Sequence, residues 1–405
     1  MYTLLRNKLD GLKRGVRDFT QELISTPSTT YHEGTVAAKI ERKLTELGYD
    51  RVFRDDFGNV VGILLGREAA PTMLLTSHMD TVEADRNQTW ESDPLAGNIK
   101  DGKIYGLGAA DCKGGLAAQM YAGALLKRSL LPLQGNLVFA ATAAEGNGCS
   151  TGIRQFLKKT VSDIGLSPTY AVLGEPTNLG LYYGHDGWVQ IELKLNGSNP
   201  FHVNDAVSAL MDSFQEEDAA TGATSETGSP RFQDITERGQ RSATITLNRR
   251  MNNTDKVEDV LHQIRRGALL VARDPDTSIQ VQVRQETEKM YNGRSELVRH
   301  SSSGWSIDPY DPLVVRAQQS LAAAGKRVHP GKWKLGQFGM GTAGSLLSKE
   351  FNVPTVGFGP GAEELAHACN EYVEIDKLEE AVYGTAVIVQ GLIGIPVYGW
   401  TSDEI

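Results

Sequence analysis

The segment TMLLTSHMDTV, residues 72–82, joins a short apolar run to a histidine and an aspartate, His78 and Asp80. A short run without charges, bounded by polar residues, indicates a strand that is buried on both faces. The same texture recurs in three other segments: NVVGILLG (59–66), GNLVFAAT (135–142) and TYAVLGE (169–175). Helical patterns lie between or before these strands, at Val36–Leu47, Gly115–Lys127 and Gly152–Lys159. The first part of the chain therefore predicts a parallel sheet covered by helices on both faces, an α/β fold.

The pattern changes near Gly187, where three segments alternate apolar and polar residues: GWVQIELKLNG (187–197), SATITLNRR (242–250) and SIQVQVRQE (278–286). Alternation is typical of strands with one wet face. Helices are predicted at 205–214 and 256–272, and the polar stretch 216–232 is predicted to be a mobile loop. After residue 308 a helix (312–325) and a buried strand (353–359) return. We therefore expect an α+β domain, residues 187–308, inserted into an α/β domain made of residues 1–186 and 309–405.

Charge and composition exclude several classes of protein. The chain has 405 residues and a net charge of −9, which argues against binding nucleic acid or an anionic membrane. No apolar run approaches the roughly 18 residues that a membrane span needs. The charged amino terminus predicts an amphipathic helix rather than a signal peptide. Three scattered cysteines fit a reducing compartment, so we expect a cytoplasmic protein without disulfides.

Imidazole and carboxylate side chains follow the predicted strands. Their positions are His78 and Asp80, Asp111 in GLGAADCKGGLAA (106–118), Glu145 in NLVFAATAAEG (136–146), Glu175, and His367 in VGFGPGAEELAHACNE (356–371). Ligands of open α/β sheets collect outside the carboxyl ends of strands. These donor types suit zinc, manganese or cobalt, so the pattern predicts a metal site at that edge.

The chain resembles the M20 metallopeptidases and deacylases, which include acetylornithine deacetylase and succinyl-diaminopimelate desuccinylase. The motifs that carry the resemblance are SHMDTV (77–82), GLGAADCKGG (106–115), GEPT (174–177), LNRR (247–250) and GPGAEELAHACNE (359–371). The resemblance implies a zinc-peptidase-like α/β catalytic domain with an inserted α+β lid, which often mediates dimerisation. A homodimer is therefore expected.

The resemblance also implies roles for individual residues. His78 would bind one metal ion, and the Asp80 carboxylate would orient its imidazole. Asp111 would bridge two ions, Glu175 would complete the first site and His367 the second. A glutamate would take a proton from the attacking water.

Relatives carry two adjacent acids where this chain has AAEGN (143–147). The first acid is the general base, and the second binds the same ion as His367. If Glu145 is the first acid, Gly146 has replaced the ligand. If it is the second, Ala144 has replaced the base. Glu145 follows Asp111 by 34 residues, which is the usual spacing to the base in relatives, so the first register is favoured. A glycine after the acid fits the second register as well.

The lid departs from the family pattern in two places. His202 in GSNPFHVNDAV (197–207) matches a histidine that polarises the substrate carbonyl, but several residues that follow it in relatives are missing. Asp186 stands where relatives often have a basic residue. Arg250 and Thr342 occupy family positions near the substrate carboxylate, and both have alternative structural roles.

These observations predict a metal-dependent amidohydrolase that cleaves an N-acyl amino acid or a small peptide-like amide. One or two divalent ions are expected, zinc first, with cobalt or manganese as alternatives. Because one acid of the pair is missing, the alternative is a non-hydrolytic or altered-chemistry member that binds a metal and an amino-acid-like ligand.

Overall fold

The computed structural model describes residues 1–85, 87, 89–221, 224–235, 240–271, 276–335 and 339–395. Up to residue 185 its helices are α1 (Tyr2–Asp10), α2 (Lys13–Ile24), α3 (Gly34–Glu46), α4 (Gly114–Ser129), α5 (Thr151–Gln155) and α6 (Val161–Ile164). π-Helical turns at Ala109–Lys113 and Phe156–Thr160 lead into α4 and α6. The strands are β1 (Arg51–Arg54), β2 (Val60–Leu64), β3 (Thr72–His78), β4 (Ile99–Lys100), β5 (Lys103–Tyr105), β6 (Asn136–Thr142), β7 (Tyr170–Leu173) and β8 (Leu181–His185).

The middle of the chain contains the helices α7 (Pro200–Thr221) and α8 (Val257–Val271). Its strands are β9 (Gly187–Gly197), β10 (Ser225–Thr227), β11 (Arg231–Ile235), β12 (Gln240–Met251), β13 (Thr277–Val283), β14 (Gln285–Lys289), β15 (Ser295–Arg299), β16 (Ser301–Ser302) and β17 (Trp305–Ser306). The last part adds α9 (Pro312–Ala323), β18 (Pro330–Trp333), a π-helical turn (Leu346–Glu350), β19 (Thr355–Gly357), a 3₁₀ turn (Glu363–Leu365), β20 (Tyr372–Glu374) and α10 (Ile375–Ile393).

The larger sheet has the strand order β1-β2-β6-β3-β7-β19-β8-β17, and β18 also pairs with β8. Its centre, β6-β3-β7-β19, is parallel, as the sequence predicts. Strand β2 differs from that prediction because it runs antiparallel to β6, and β8, which the prediction did not include, runs antiparallel to β19. The sheet is therefore mixed, and the α/β fold class is confirmed.

Apolar side chains cover both faces of this sheet. On one face α1–α4, α9 and α10 contribute Leu5, Phe19, Leu125 and Val387 to the main core. On the other face a second cluster includes Phe156, Trp305 and Trp333. Strands β3 and β6 are buried along their whole length, which explains why they read as uninterrupted apolar runs.

The smaller sheet has the order β10-β12-β9-β13, with β11 on β12 and β16 on β9. Helices α7 and α8 cover one face, around Val189, Leu193, Leu210 and Ile245. The prediction of a mobile loop at residues 216–232 is wrong for much of that segment. Helix α7 continues to Thr221, and β10 and β11 satisfy backbone groups of the long strand β12. Residues 222 and 223 lie outside the described residues.

The segment that leads from the small sheet back to the larger sheet contains additional strands. Strands β14 and β15 form a hairpin whose tip touches the larger domain, where the Tyr291 hydroxyl donates to the Gly58 carbonyl at 2.6 Å. Strand β17 pairs with β8 in the larger sheet.

The amino-terminal segment forms two helices, α1 and α2, where the sequence predicts one. Within the described residues, no helix combines the length and apolar character that crossing a membrane requires.

Candidate metal centre

Four side chains from four connections meet at the carboxyl end of the parallel strands. His78 ends β3, Asp111 lies in the π-helical turn before α4, Glu175 follows β7 and His367 follows β19. The Asp111 carboxylate lies between the two imidazoles, with Oδ1 3.4 Å from His78 Nε2 and Oδ2 3.1 Å from His367 Nε2. Glu175 Oε2 lies 3.8 Å from His78 Nε2. The structure thus brings together all four residues that the resemblance implies as metal ligands.

His78, Asp111 and Glu175 are buried and His367 is partly exposed, and the ionisation of these groups reflects their surroundings. Burial raises the pKa of Glu175 well above its usual value. Burial opposes ionisation of Asp111 too, but hydrogen bonds from His367 and His78 hold its pKa well below the usual range. Burial lowers the pKa of His367, but the hydrogen bond to Asp111 and the charges of Asp111 and Glu371 together outweigh this effect, and the pKa is raised. Carboxylates and imidazoles that converge in one site suit a divalent cation, so the residues present fit the metal that the resemblance implies.

Cys112 belongs to the same cluster and was missed in the sequence. Its Sγ, with donor atoms of His78, Asp111 and Glu175, forms a group in which all atoms lie within 4.8 Å of one another. The thiol also contacts the backbone of β3, accepting from the His78 N–H at 3.3 Å and donating to the His78 carbonyl at 3.6 Å. Burial raises the pKa of this thiol to about 12.

Asp80 contacts His78 in a different way from the one expected. The His78 Nδ1 atom lies 2.8 Å from the backbone carbonyl of Asp80, whereas the carboxylate Oδ1 is 3.7 Å away, which is too long for a hydrogen bond. The Asp80 carboxylate instead accepts from the backbone N–H groups of Glu145 (3.0 Å) and Gly146 (2.7 Å) and from the Thr30 hydroxyl (2.8 Å). It therefore ties β3 to the turn that carries Glu145.

Glu145 faces the same cavity as the four ligand candidates. Its Oε1 accepts a hydrogen bond from the Ser150 hydroxyl. Its Oε2 is buried and has no hydrogen-bond partner among the described residues. Burial raises the pKa of Glu145 to about 7.

The neighbours of Glu145 bear on the missing acid. Gly146 lines the cavity, whereas Ala144 does not and is fully buried. A Cβ at Gly146 would lie only 2.4 Å from Thr30 Oγ1 and 3.1 Å from Asp80 Oδ2. A side chain at Gly146 would therefore need space that Thr30 occupies.

The cavity has a volume of about 40 Å³. Beyond the residues already described, its walls are formed by Pro176, Trp333, Leu335, Met340, Thr342 and Glu363. The Glu363 carboxylate accepts from the backbone N–H groups of Lys334 (2.7 Å) and Leu335 (2.6 Å) and so fixes one wall. Sequence reasoning placed Thr342 near the substrate, and the structure puts it in the cavity wall.

A buried histidine that sequence reasoning missed holds Thr342. His185 Nε2 accepts from the Thr342 N–H at 3.0 Å, and its Nδ1 lies 2.7 Å from the Asp186 carbonyl. Burial lowers the pKa of His185 to about 4, so the ring is neutral at pH 7. The ring also packs edge-on against Trp305 at 5.8 Å. In the sequence, His185 precedes Asp186, the residue that drew attention as a departure from the family pattern.

The two lid candidates do not reach this cavity within the chain. His202 lies near the start of α7 and Arg250 lies on β12 opposite Trp188, and neither is part of the cavity lining. Burial lowers the pKa of Arg250, and the charge of Asp186 opposes this shift.

Comparison with known proteins agrees with this geometry. The family model described as peptidase family M20/M25/M40 matches residues 74–390. An uncharacterized protein of Escherichia coli strain K12, YgeY, is 25% identical over 399 residues, covering 91% of this chain and 92% of that protein. A succinyl-diaminopimelate desuccinylase of Stenotrophomonas maltophilia is 30% identical over 190 residues, covering 45% of this chain and 50% of that enzyme.

The fold agrees as well. The YXEP protein of Bacillus subtilis, described as a dinuclear metal-binding peptidase of the M20 family, superposes with a TM-score of 0.68 at 15% identity. That superposition covers 94% of this chain and 98% of the other. The resemblance seen in the sequence is confirmed: the chain belongs to peptidase family M20/M25/M40, whose metallopeptidases and deacylases are metal-dependent hydrolases of amide bonds.

Proposed function

We propose that the protein hydrolyses the amide bond of an N-acyl amino acid or a small peptide-like substrate, with one or two bound divalent ions. Zinc is the first expectation, and cobalt or manganese are alternatives. The observation that carries the proposal is the position of the Asp111 carboxylate, 3.4 Å from His78 Nε2 and 3.1 Å from His367 Nε2 in one buried cavity. A carboxylate that turns one oxygen towards each of two imidazoles could bridge two ions bound by them.

His78 and Glu175 would hold one ion together with Asp111, and His367 and Asp111 would hold the second. Bound divalent ions would polarise the scissile carbonyl and lower the pKa of a bound water. The protein supplies three ligands to the first ion. In the favoured register it supplies two to the second, because Gly146 has no side chain. We therefore expect the second ion to bind more weakly than the first.

Glu145 would move the proton. Glu145 lines the cavity, and its Oε2 has no hydrogen-bond partner among the described residues, so this oxygen would accept the proton from the attacking water. The Ser150 hydroxyl holds Oε1 and so fixes the orientation of the carboxylate. The same oxygen that accepts the proton can return it to the nitrogen of the leaving amine.

The alternative is a member of the family that binds a metal and an amino-acid-like ligand without efficient hydrolysis. Its support is the lost acid at Gly146, together with the Thr30 hydroxyl that occupies the neighbouring space. A centre with one tightly bound ion would retain affinity for a carboxylate or a carbonyl even if turnover were slow.

Metal analysis followed by a substrate panel tests the proposal. The purified protein is analysed for zinc, cobalt and manganese per chain, and is then assayed against N-acetyl, N-succinyl and N-formyl amino acids and against dipeptides. We expect at least one ion per chain and metal-dependent release of a free amine from at least one substrate class. A metal-loaded protein that binds these compounds but hydrolyses none would favour the alternative.

We also propose that residues 187–308 act as a lid and dimerisation domain on a catalytic domain of residues 1–186 and 309–405, in a cytoplasmic homodimer. The support is the separate small sheet with its own core. Because His202 and Arg250 do not line the cavity, any role for them requires a lid, of this chain or of a second copy, to approach it. Light scattering coupled to size-exclusion chromatography tests the dimer, and a monomer at micromolar concentration would contradict it.

A further inference from the structure

The turn that carries Glu145 is held from outside by two carboxylates. The Ala144 N–H donates to Glu33 Oε1 at 2.9 Å. The next two N–H groups, of Glu145 and Gly146, donate to the Asp80 carboxylate at 3.0 and 2.7 Å. Ala144 has a φ of 55°, a left-handed conformation that is unfavourable for a residue with a Cβ. A strained turn of this kind persists only where its surroundings hold it.

Glu33 has no place in the proposed chemistry. It precedes α3, is fully buried and does not line the cavity. Its Oε2 has no hydrogen-bond partner among the described residues. Burial and, secondly, the charge of Asp80 raise the pKa of Glu33 to about 8, so the group is largely a neutral acid at pH 7. Burying a carboxyl group makes folding less favourable, so a fully buried one is expected to serve a purpose in the folded protein.

We propose that Glu33 is a positioning residue for Glu145, which it orients by accepting the Ala144 N–H and fixing the start of the turn. The proposal rests on the proposed function, since Glu145 needs orienting only if it handles the proton. Ser150 restrains one carboxylate oxygen of Glu145, and Asp80 restrains the turn on its other side. Glu33 accepts the N–H of the left-handed residue itself, whose carbonyl accepts from the Thr151 N–H at 3.3 Å.

A second buried glutamate acts in the same way on a different residue and provides a matched control. Glu371 accepts from the backbone N–H groups of Gly108 (2.9 Å), Ala110 (2.7 Å) and Asp111 (2.9 Å). It therefore holds the turn of the bridging ligand candidate, whereas Glu33 holds the turn of the proton acceptor. Disturbing Glu371 should release metal, and disturbing Glu33 should not.

The experiment compares Glu33→Gln with Glu33→Leu. Glutamine keeps an oxygen that can accept the Ala144 N–H, while leucine fills a similar volume without an acceptor. For Glu33→Leu we expect kcat to fall about tenfold to a hundredfold, with KM and metal content close to wild type, because misplacing a catalytic group by about 1 Å can cost 10²-fold. Glu33→Gln should restore kcat to within about threefold of wild type. Glu371→Leu should instead lose metal.

Hydrogen exchange of residues 143–147 gives a readout that does not depend on turnover. Exchange of the Ala144 amide should be faster in Glu33→Leu than in wild type and Glu33→Gln. If wild type hydrolyses no substrate, the proposed function fails, and this exchange pattern still decides whether Glu33 holds the turn. The proposal is overturned if Glu33→Leu keeps full kcat or unchanged exchange, if Glu33→Gln is as impaired as Glu33→Leu, or if metal is lost. It is also overturned if both Glu33→Leu and Glu33→Ala fail to fold, since Glu33 then serves the fold itself.

Discussion

Replacing Glu145 with glutamine separates the two registers of the missing acid. The change is nearly isosteric, and the amide oxygen can still accept the hydroxyl hydrogen of Ser150, as Oε1 does now. What is lost is Oε2 as a proton acceptor. Among the described residues this atom makes no hydrogen bond, so the change breaks no contact that the structure shows. We therefore expect the folded state and the metal content to be preserved.

The effect on turnover follows from the role of that single oxygen. General acid–base catalysis contributes about 10²–10⁴-fold, so Glu145→Gln should lower kcat by about that factor. At about 1.36 kcal/mol per tenfold, this corresponds to about 2.7–5.4 kcal/mol in activation free energy. KM should change little, because substrate binding does not require the proton acceptor. The assay measures steady-state kinetics and metal per chain on the same preparations.

Loss of a metal ion on Glu145→Gln would refute this reasoning. In the other register Glu145 is a ligand, and His367 and Asp111 would be left as the only contributors to the second ion among the ligand candidates. Ser150→Ala is a useful companion variant, since it releases Oε1 without removing the carboxylate. It should lower kcat less than Glu145→Gln does and should leave the metal content unchanged.

Three further predictions follow from the same geometry. His78→Ala should abolish tight binding of the first ion, and an unchanged metal content in elemental analysis would rule out that ligand assignment. Gly146→Glu alone should not restore the second site, because its Cβ would lie 2.4 Å from Thr30 Oγ1. The double variant Thr30→Ala/Gly146→Glu removes this clash and should raise the occupancy of the second ion in a metal titration. The pKa of His185 is lowered from 6.5 to about 4 in the folded protein. Between pH 4 and pH 6.5 the unfolded state therefore binds a proton at this residue that the folded state does not bind. The free energy of unfolding of the wild type should then fall by up to about 3 kcal/mol as the pH drops from about 6.5 to 4, as measured by urea titration. A similar decrease in His185→Gln would show that His185 is not the cause.

Much of the fold follows from the sequence alone. The runs at 72–78 and 136–142 lack charges because both faces of β3 and β6 are covered, and this texture marks them as central strands. The alternation at 187–197 likewise reports a strand with one buried face, as β9 shows. The predicted direction of β2 is wrong, because periodicity reports burial and not whether neighbouring strands run parallel. The polar composition of 216–232 is typical of a loop and does not show that β12 pairs with β10 and β11.

Three of the metal ligand candidates could be found from sequence because they follow strands of the parallel centre, and parallel strands end at one edge, whereas Asp111 lies in a Gly-rich turn before α4. His78, Asp111, Glu175 and His367 meet there. What supports them could not be found in this way. Glu33 and Glu371 act on backbone N–H groups 111 and 260 or more residues away in the chain, and a hydrogen bond to a backbone group leaves no residue pattern to read.

The sequence by itself determined that one acid of the family pair is absent, since AAEGN contains a single carboxylate. The spacing from Asp111 favours Gly146 as the replaced position, but only the tertiary structure shows what surrounds the two positions beside Glu145, because those contacts depend on how the turn folds. Gly146 faces the cavity, while Ala144 is buried behind it with its N–H bound to Glu33. The space that a ligand at Gly146 would need is occupied by Thr30, a residue 116 positions earlier, and that steric relation exists only in the folded chain.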